Sequence, residues 1–238
     1  MANQKQVARA AAAAARKAEQ DKLDKRNKLI AIIAVLLVAG VALFFALGGG
    51  SNESNQLPVP NQQTMPADLT ATHNIQIDVQ DYGTITAELY GEVAPITVEN
   101  FVKLANEGFY DGLTFHRIIS GFMIQGGDPL GNGTGGADED IKGEFAANGW
   151  NNPIPHERGV LSMARSTAPD SASSQFFIMH QAAPHLDGSY AAFGKVLTGM
   201  EVVDAICANT PVTDGNGSVA KANQPIITSI RVIENAGE

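Results

Sequence analysis

Leu29–Leu47 reads LIAIIAVLLVAGVALFFAL, 19 residues without a charged or strongly polar side chain, and this run constrains the chain more than any other feature. As a helix rising ~1.5 Å per residue it would be about 28 Å long, close to the ~30 Å hydrocarbon core of a bilayer. Residues 1–28 carry eight Lys or Arg against three acidic residues, a local charge of +5. From Gly48 onward eight basic residues face 22 acidic ones, a charge of −14. This basic, apolar, acidic order predicts a single-pass signal anchor with the N-terminus in the cytoplasm and the bulk of the chain outside. The competing reading is a cleaved signal peptide. It requires an unusually long basic region and an apolar core beyond ~7–15 residues, and no A-x-A site closes the run at Ala46–Ser51. The Ala-rich stretch Ala8–Ala18 favours helix, as a solvated extension of the span or as a contact with anionic lipid.

The organisation that follows has four parts: a basic arm at 1–28, the span at 29–47, a Gly, Ser, Asn, Gln and Pro-rich tether at 48–71, and a folded domain at 72–238. The net charge of −9 over 238 residues argues against a nucleic-acid binder. One cysteine, Cys207, excludes an internal disulfide framework and any Cys-rich zinc site, and its helical context points to buried apolar surroundings.

Within the domain, Ile75, Ile77 and Val79 alternate with polar residues, as do Ile85, Ala87 and Leu89 across a Gln80–Gly83 turn, which predicts a hairpin. Pro95 suits the first turn of a helix carrying Val98, Phe101, Val102, Leu104 and Ala105, with Gly108 as its stop. A second helix is expected over Met200–Ala208, and short strands separated by Gly-rich loops fill the remainder up to Ile226–Glu234. Many short strands with two helices predict a mainly β, closed antiparallel barrel or sandwich.

The chemical motifs mostly eliminate. Gly131, Gly133 and Gly136 match G-x-G-x-x-G, but an acidic, non-helical segment follows, so a surface loop is expected and not a nucleotide site. Asp138, Glu139 and Asp140 lack the alternate-ligand pattern of a calcium loop and read as a solvated acidic patch. No His pair has metal-ligand spacing and no G-x-S-x-G elbow is present, so no metal, cofactor or nucleophile is expected. One segment resists a bland reading. FHRIISGFMIQGGDP (Phe115–Pro129) buries Arg117 in an apolar run, which is costly unless the guanidinium is paired or partly open to water. SQFFIMH (Ser174–His180) places Phe176 and Phe177 side by side, and on a strand they must face opposite ways.

At these residues the chain resembles the cyclophilin family of peptidyl-prolyl cis-trans isomerases. FHRIISGFMIQGGDP, NGTGG (Asn132–Gly136), GVLSMA (Gly159–Ala164), SQFFI (Ser174–Ile178), LDG (Leu186–Gly188) and FGKV (Phe193–Val196) stand in the family's order over roughly residues 73–236. The resemblance implies a closed eight-stranded antiparallel barrel capped by two helices and a cofactor-free isomerase acting on X–Pro bonds. Its implied substrates are proline-containing peptides and unfolded clients, bound by a monomeric catalytic domain. A peptide-binding chaperone module using the same groove without turnover is the alternative.

By the same resemblance Arg117 is the catalytic residue. Phe122, Met123, Phe177 and Leu186 form the pocket for the proline ring, and Gln125 holds the substrate backbone and orients Arg117. Ala164 and Arg165 bind the peptide through their main chain. Phe115, His116, Ile119, Gln175 and Tyr190 complete the substrate-binding set. His185 stands where animal cyclophilins carry the Trp that contacts cyclosporin, so weak cyclosporin inhibition with activity retained is expected. Arg165 replaces a common Asn. The loop Arg165–Ser173 looks like the bacterial form, which with the anchor suggests a bacterial membrane protein facing outward.

Overall fold

The computed structural model describes residues 64–233. The basic arm, the apolar run and residues 48–63 of the tether lie outside the described residues. Among the described residues, no helix is long and apolar enough to cross a membrane.

Eight strands form one antiparallel sheet: β1 (His73–Val79), β2 (Gly83–Leu89), β3 (Phe115–Ile119), β4 (Met123–Gly126), β5 (Val160–Met163), β6 (Phe176–Met179), β7 (Ala192–Thr198) and β8 (Ile227–Ile233). Their order across the sheet is β3-β4-β6-β5-β7-β2-β1-β8. The expected hairpin is β1–β2, with Ile77 opposite Ile85 and the alternate residues buried. The closed barrel is met only in part. The edge strands β3 and β8 share no ladder. They meet through the single bridge Thr114↔Ile226 and its flanking bonds, Phe115 N–H to Pro225 O at 3.0 Å and Ile227 N–H to Leu113 O at 2.8 Å.

Two helices cover the inner face. α1 (Pro95–Asn106) turns Val98, Phe101, Leu104 and Ala105 inward. Pro95 opens it, but Ala94 offers no side-chain cap. Buried Glu144 supplies it instead: its carboxylate accepts the N–H groups of Ile96 (3.0 Å) and Thr97 (2.8 Å), where the helix dipole favours negative charge. α2 (Met200–Asn209) buries Val202, Val203 and Ile206. Cys207 on it is half-buried, and burial pushes its thiol up to about 11.

The sheet separates two hydrophobic clusters. The inner one centres on Phe101, with Tyr110, Phe176 and Phe193 at ring distances of 5.0, 5.3 and 5.1 Å. The outer one holds Tyr90, Met123, Ile154, Val160, Phe177, Met179 and Leu186. Register explains the division. Ile118, Ile124, Ile178 and Leu161 stand opposite one another across β3, β4, β6 and β5 and all face inward. The neighbouring row, Arg117, Gln125, Phe177 and Ser162, must then face outward. Met65 and Leu69 rest against the outer cluster, so ordered contacts begin before Thr72, inside the segment read as tether.

Candidate active site

Three residues of the outward row, Arg117, Gln125 and Phe177, form the floor of an open groove of about 880 Å³. Arg117 enters it from β3, Met123 and Gln125 from β4, and Phe177 from β6. Phe122 comes from the β3–β4 turn, Leu186 from the short helical turn Pro184–Leu186, and Tyr190 from the segment before β7. Ala164 and Arg165, just past β5, close one side.

Arg117 is held at three points. Its Nε donates to Asn216 O (2.8 Å), Nη2 to Asn216 Oδ1 (3.1 Å) and Nη1 to Gln125 Oε1 (3.3 Å). A guanidinium has five N–H groups. Two of them, one on each Nη, therefore have no partner among the described residues. Burial lowers its pKa, opposed by Tyr190 and Asp214, yet an arginine stays charged at neutral pH. Gln125 is fixed in turn: its Nε2 donates to Gln175 Oε1 (2.9 Å), and Gln175 Nε2 donates to Gly135 O (2.7 Å). A chain of amides thus pins the only cation in the floor row.

Loops far apart in sequence supply the walls. Asp128, almost fully buried, accepts the N–H groups of Leu130 (2.8 Å), Asn132 (2.9 Å) and Gly133 (2.6 Å). Burial pushes its carboxyl up, but these three donors outweigh that and hold it below the usual carboxylate range. Gly135 must be glycine, because a Cβ there would sit 2.2 Å from Asp128 Oδ1. The Gly-rich loop read as a free surface segment is therefore anchored, and its Gly131–Gly133 part lines the groove. The adjoining stretch of wall is Asn216–Val219, joined to the glycine loop by Gln224, whose Nε2 donates to Gly131 O (2.8 Å) and Val219 O (3.0 Å). Gly217, at φ +81°, lets it lie on β3, where a Cβ would stand 2.4 Å from Ile118 O. Asp138, Glu139 and Asp140 are solvated.

Of the residues expected here, His116, Arg117, Phe122, Met123, Gln125, Ala164, Arg165, Phe177, Leu186 and Tyr190 line the groove. Phe115 does not. A bulge at His116 shifts the register, so that Phe115 pairs with Gly126 and Arg117 with Gln125. Phe115 consequently turns into the inner core, 6.1 Å from the Phe176 ring. Ile119 sits beside the outer cluster and off the groove, and Gln175 borders an adjoining cavity of about 380 Å³. His185 stacks on Phe122 at 5.8 Å and is not itself in the groove lining.

Arg165 lines the groove and also uses its side chain. It lies 4.9 Å from the Phe145 ring and 4.8 Å from Tyr190, and donates twice to Ser189 O (3.0 and 2.9 Å). It is a wedge that steadies Tyr190. The Ala164 N–H is committed to Gln175 O (2.9 Å), which narrows the main-chain contact expected of that residue.

Asn216 and Gln224 were not singled out from the sequence, and the Gly131–Gly133 loop was noted only as a surface loop and a family block, not as groove lining. GNGTGG was the one signal that could have found the loop. TDGNGS announces a turn but nothing about Arg117. Behind Phe177 lies a further unforeseen group: buried His156 bonds Asp187 Oδ1 through Nδ1 (2.9 Å) and Ser162 Oγ through Nε2 (3.0 Å). Ser162 is fully buried, so this Ser–His–Asp order supports the groove floor and offers no accessible nucleophile. Burial lowers the His156 pKa against the pull of Asp187, and likewise lowers that of His116, whose two ring nitrogens have no hydrogen-bond partner among the described residues.

The arrangement presents a fixed, half-used cation at one end of an apolar slot. Residues 74–232 match the family model described as cyclophilin type peptidyl-prolyl cis-trans isomerase/CLD. The chain is 55% identical over 123 residues to peptidyl-prolyl cis-trans isomerase B of Bacillus subtilis, covering 52% of this chain and 82% of that protein. It is 49% identical over 126 residues to a peptidyl-prolyl cis-trans isomerase of Helicobacter pylori, covering 52% and 75%. Among solved structures, a cyclophilin-type isomerase of Cryptosporidium parvum crystallised with the dipeptide Ala-Pro superposes with a TM-score of 0.60 at 33% identity, covering 68% of this chain and 99% of that one.

Proposed function

The chain belongs to the cyclophilin-type peptidyl-prolyl cis-trans isomerase family and catalyses that isomerisation, and from this premise we propose that the groove is its active site with Arg117 as the catalytic residue. An X–Pro amide resists rotation by ~18–20 kcal/mol because resonance gives its C–N bond double-bond character. A catalyst needs no covalent step. It needs to bind the twisted amide better than the planar one. Twisting returns a lone pair to the prolyl nitrogen, and a hydrogen-bond donor aimed at it stabilises that state selectively. The observation that carries this reading is the pair of unpartnered N–H groups on an otherwise immobilised guanidinium at the end of the apolar slot. Phe122, Met123, Phe177 and Leu186 offer the proline ring an apolar seat, and the thioether of Met123 adapts to it.

The test is isomerisation of a short proline-containing peptide by the full chain beside Arg117→Ala. Loss of one preorganised donor is worth ~10²–10³ in rate. A fall of that size with an unchanged melting temperature is the expected result, and unchanged turnover would sink the assignment. His185 in place of an indole supports weak cyclosporin inhibition, and nanomolar inhibition would refute that.

The order of basic arm, apolar run and acidic domain supports a membrane anchor with an extracytoplasmic catalytic domain, acting on exported or cell-envelope proteins. The structure of the C. parvum relative in the presence of the dipeptide Ala-Pro supports proline-containing peptides as substrates.

A further inference from the structure

His180 immediately follows β6 and does not line the groove, yet it holds one of the groove's walls. Its Nδ1 accepts the Gly121 N–H at 2.7 Å. A ring nitrogen accepts only when it carries no proton, so this contact selects the neutral ring with its hydrogen on Nε2. That hydrogen faces Asp204 on α2, with Nε2 3.1 Å from Oδ1. Arg158 steadies both partners, donating through Nη2 to Asp204 Oδ2 (2.8 Å) and through Nη1 to the His180 carbonyl (2.8 Å). The main chain completes the clasp: His180 N–H and Gln181 N–H both donate to Phe122 O, at 2.8 and 3.3 Å. Gly121 itself is exposed, at φ +81°, and a Cβ there would meet nothing within 4 Å. The adjacent Phe122 ring forms the groove wall and rests on His185.

We propose that His180 is a positioning residue that fixes the Gly121–Phe122 wall only while its ring is neutral, so that acidification loosens the wall and weakens substrate binding. A proton on Nδ1 sets two N–H donors against each other and leaves Gly121 without an acceptor, whereas Asp204 keeps its bond to Nε2. The charged and titratable groups facing this clasp are Asp204 from α2, with Cys207 of the same helix near it, Arg158 from the segment before β5, and His185 across Phe122. The Ser120–Gly121 turn contributes none. The inference rests on the groove being the isomerase site.

Two substitutions separate shape from protonation. In His180→Asn the side-chain oxygen takes the place of Nδ1 and accepts at every pH. In His180→Phe the volume is kept and the acceptor is lost. The experiment measures kcat and KM of the full chain for a short proline-containing peptide from pH 8 to 5.5, with the Gly121 amide resonance followed by NMR. In the wild type KM rises several-fold on acidification while kcat changes less than twofold, and the Gly121 amide moves with the His180 ring titration. His180→Asn keeps the low KM throughout, and His180→Phe shows the raised KM already at pH 8. The proposal is overturned if His180→Asn retains the wild-type pH profile, if a folded His180→Phe has a normal KM at pH 8, or if the Gly121 amide ignores the ring titration. If His180→Phe does not fold, the asparagine variant and the amide still decide. Failure of the groove reading looks different: Arg117→Ala then leaves turnover unchanged, while the Gly121 amide still reports whether His180 clasps the turn.

Discussion

Phe176 and Phe177 are neighbours on β6, share a strand and a side-chain type, and occupy opposite faces of one sheet. Phe176 is fully buried among Phe101, Tyr110 and Phe115, with edge-on contacts at 5.3, 5.7 and 6.1 Å. Phe177 is 5% exposed, stacks on His156 at 6.1 Å, meets Tyr190 edge-on at 5.9 Å and turns its free side to the groove. The inner cluster is sealed by two helices, so its side chains have protein on every side. The outer cluster lies between the sheet and a cover of loops and short turns, and Met123, Phe177 and Leu186 border the open groove. The difference separates roles within one strand: the inner face stores stability and the outer face presents a preformed apolar seat to a ligand.

Substituting the two phenylalanines is the sharpest way to break that comparison. Phe176→Ala should cost about 3–5 kcal/mol of folding stability, because its cavity has no route to solvent and cannot collapse. The check is denaturant unfolding of the variant, with activity per folded molecule close to wild type. Phe177→Ala should cost roughly 1–2 kcal/mol, since water can enter the space from the groove. Its kcat/KM should fall about tenfold through the lost seat for the proline ring, measured in the same isomerase assay. Equal stability losses in the two variants would mean that the faces do not differ as described.

A smaller effect is expected from pH. His116 and His156, both on the outer side, have their pKa values lowered by burial from an ordinary 6.5. Below about pH 6.5 the unfolded chain therefore binds more protons than the folded one, and stability falls as pH drops. The slope cannot exceed ~1.4 kcal/mol per pH unit for each ring. Denaturation midpoints between pH 7 and 5 measure it, and the decline should shrink in His116→Gln. A flat profile would show that neither ring is held neutral.

Local pattern was enough for much of this. Alternation placed Ile75, Ile77, Val79, Ile85, Ala87 and Leu89 inside, and Pro95 and Gly108 bracketed α1 within two residues of its ends. Strand geometry alone required Phe176 and Phe177 to diverge. Arg117 stood out because a charge in an apolar run needs a reason. The errors have a common origin in contacts between distant segments. The bulge at His116 sends Phe115 inward against the simple alternation. Glu144 caps a helix through Ile96, 48 residues earlier, and Asn216 grips a guanidinium 99 residues away. Nothing within either local segment reports such a partner.

The sequence by itself determined which residues alternate, where the helices start and stop, and that a lone arginine sits among apolar neighbours, because these depend on the chain within a few residues. It also carries the charge division at the apolar run Leu29–Leu47. Only the tertiary structure decided which of the five guanidinium N–H groups are spent, that the Gly-rich loop is tied down by Asp128, and that β3 and β8 meet at one bridge instead of a ladder. Those outcomes depend on register and loop closure across a hundred residues, where a shift of one position turns a side chain from the groove to the core.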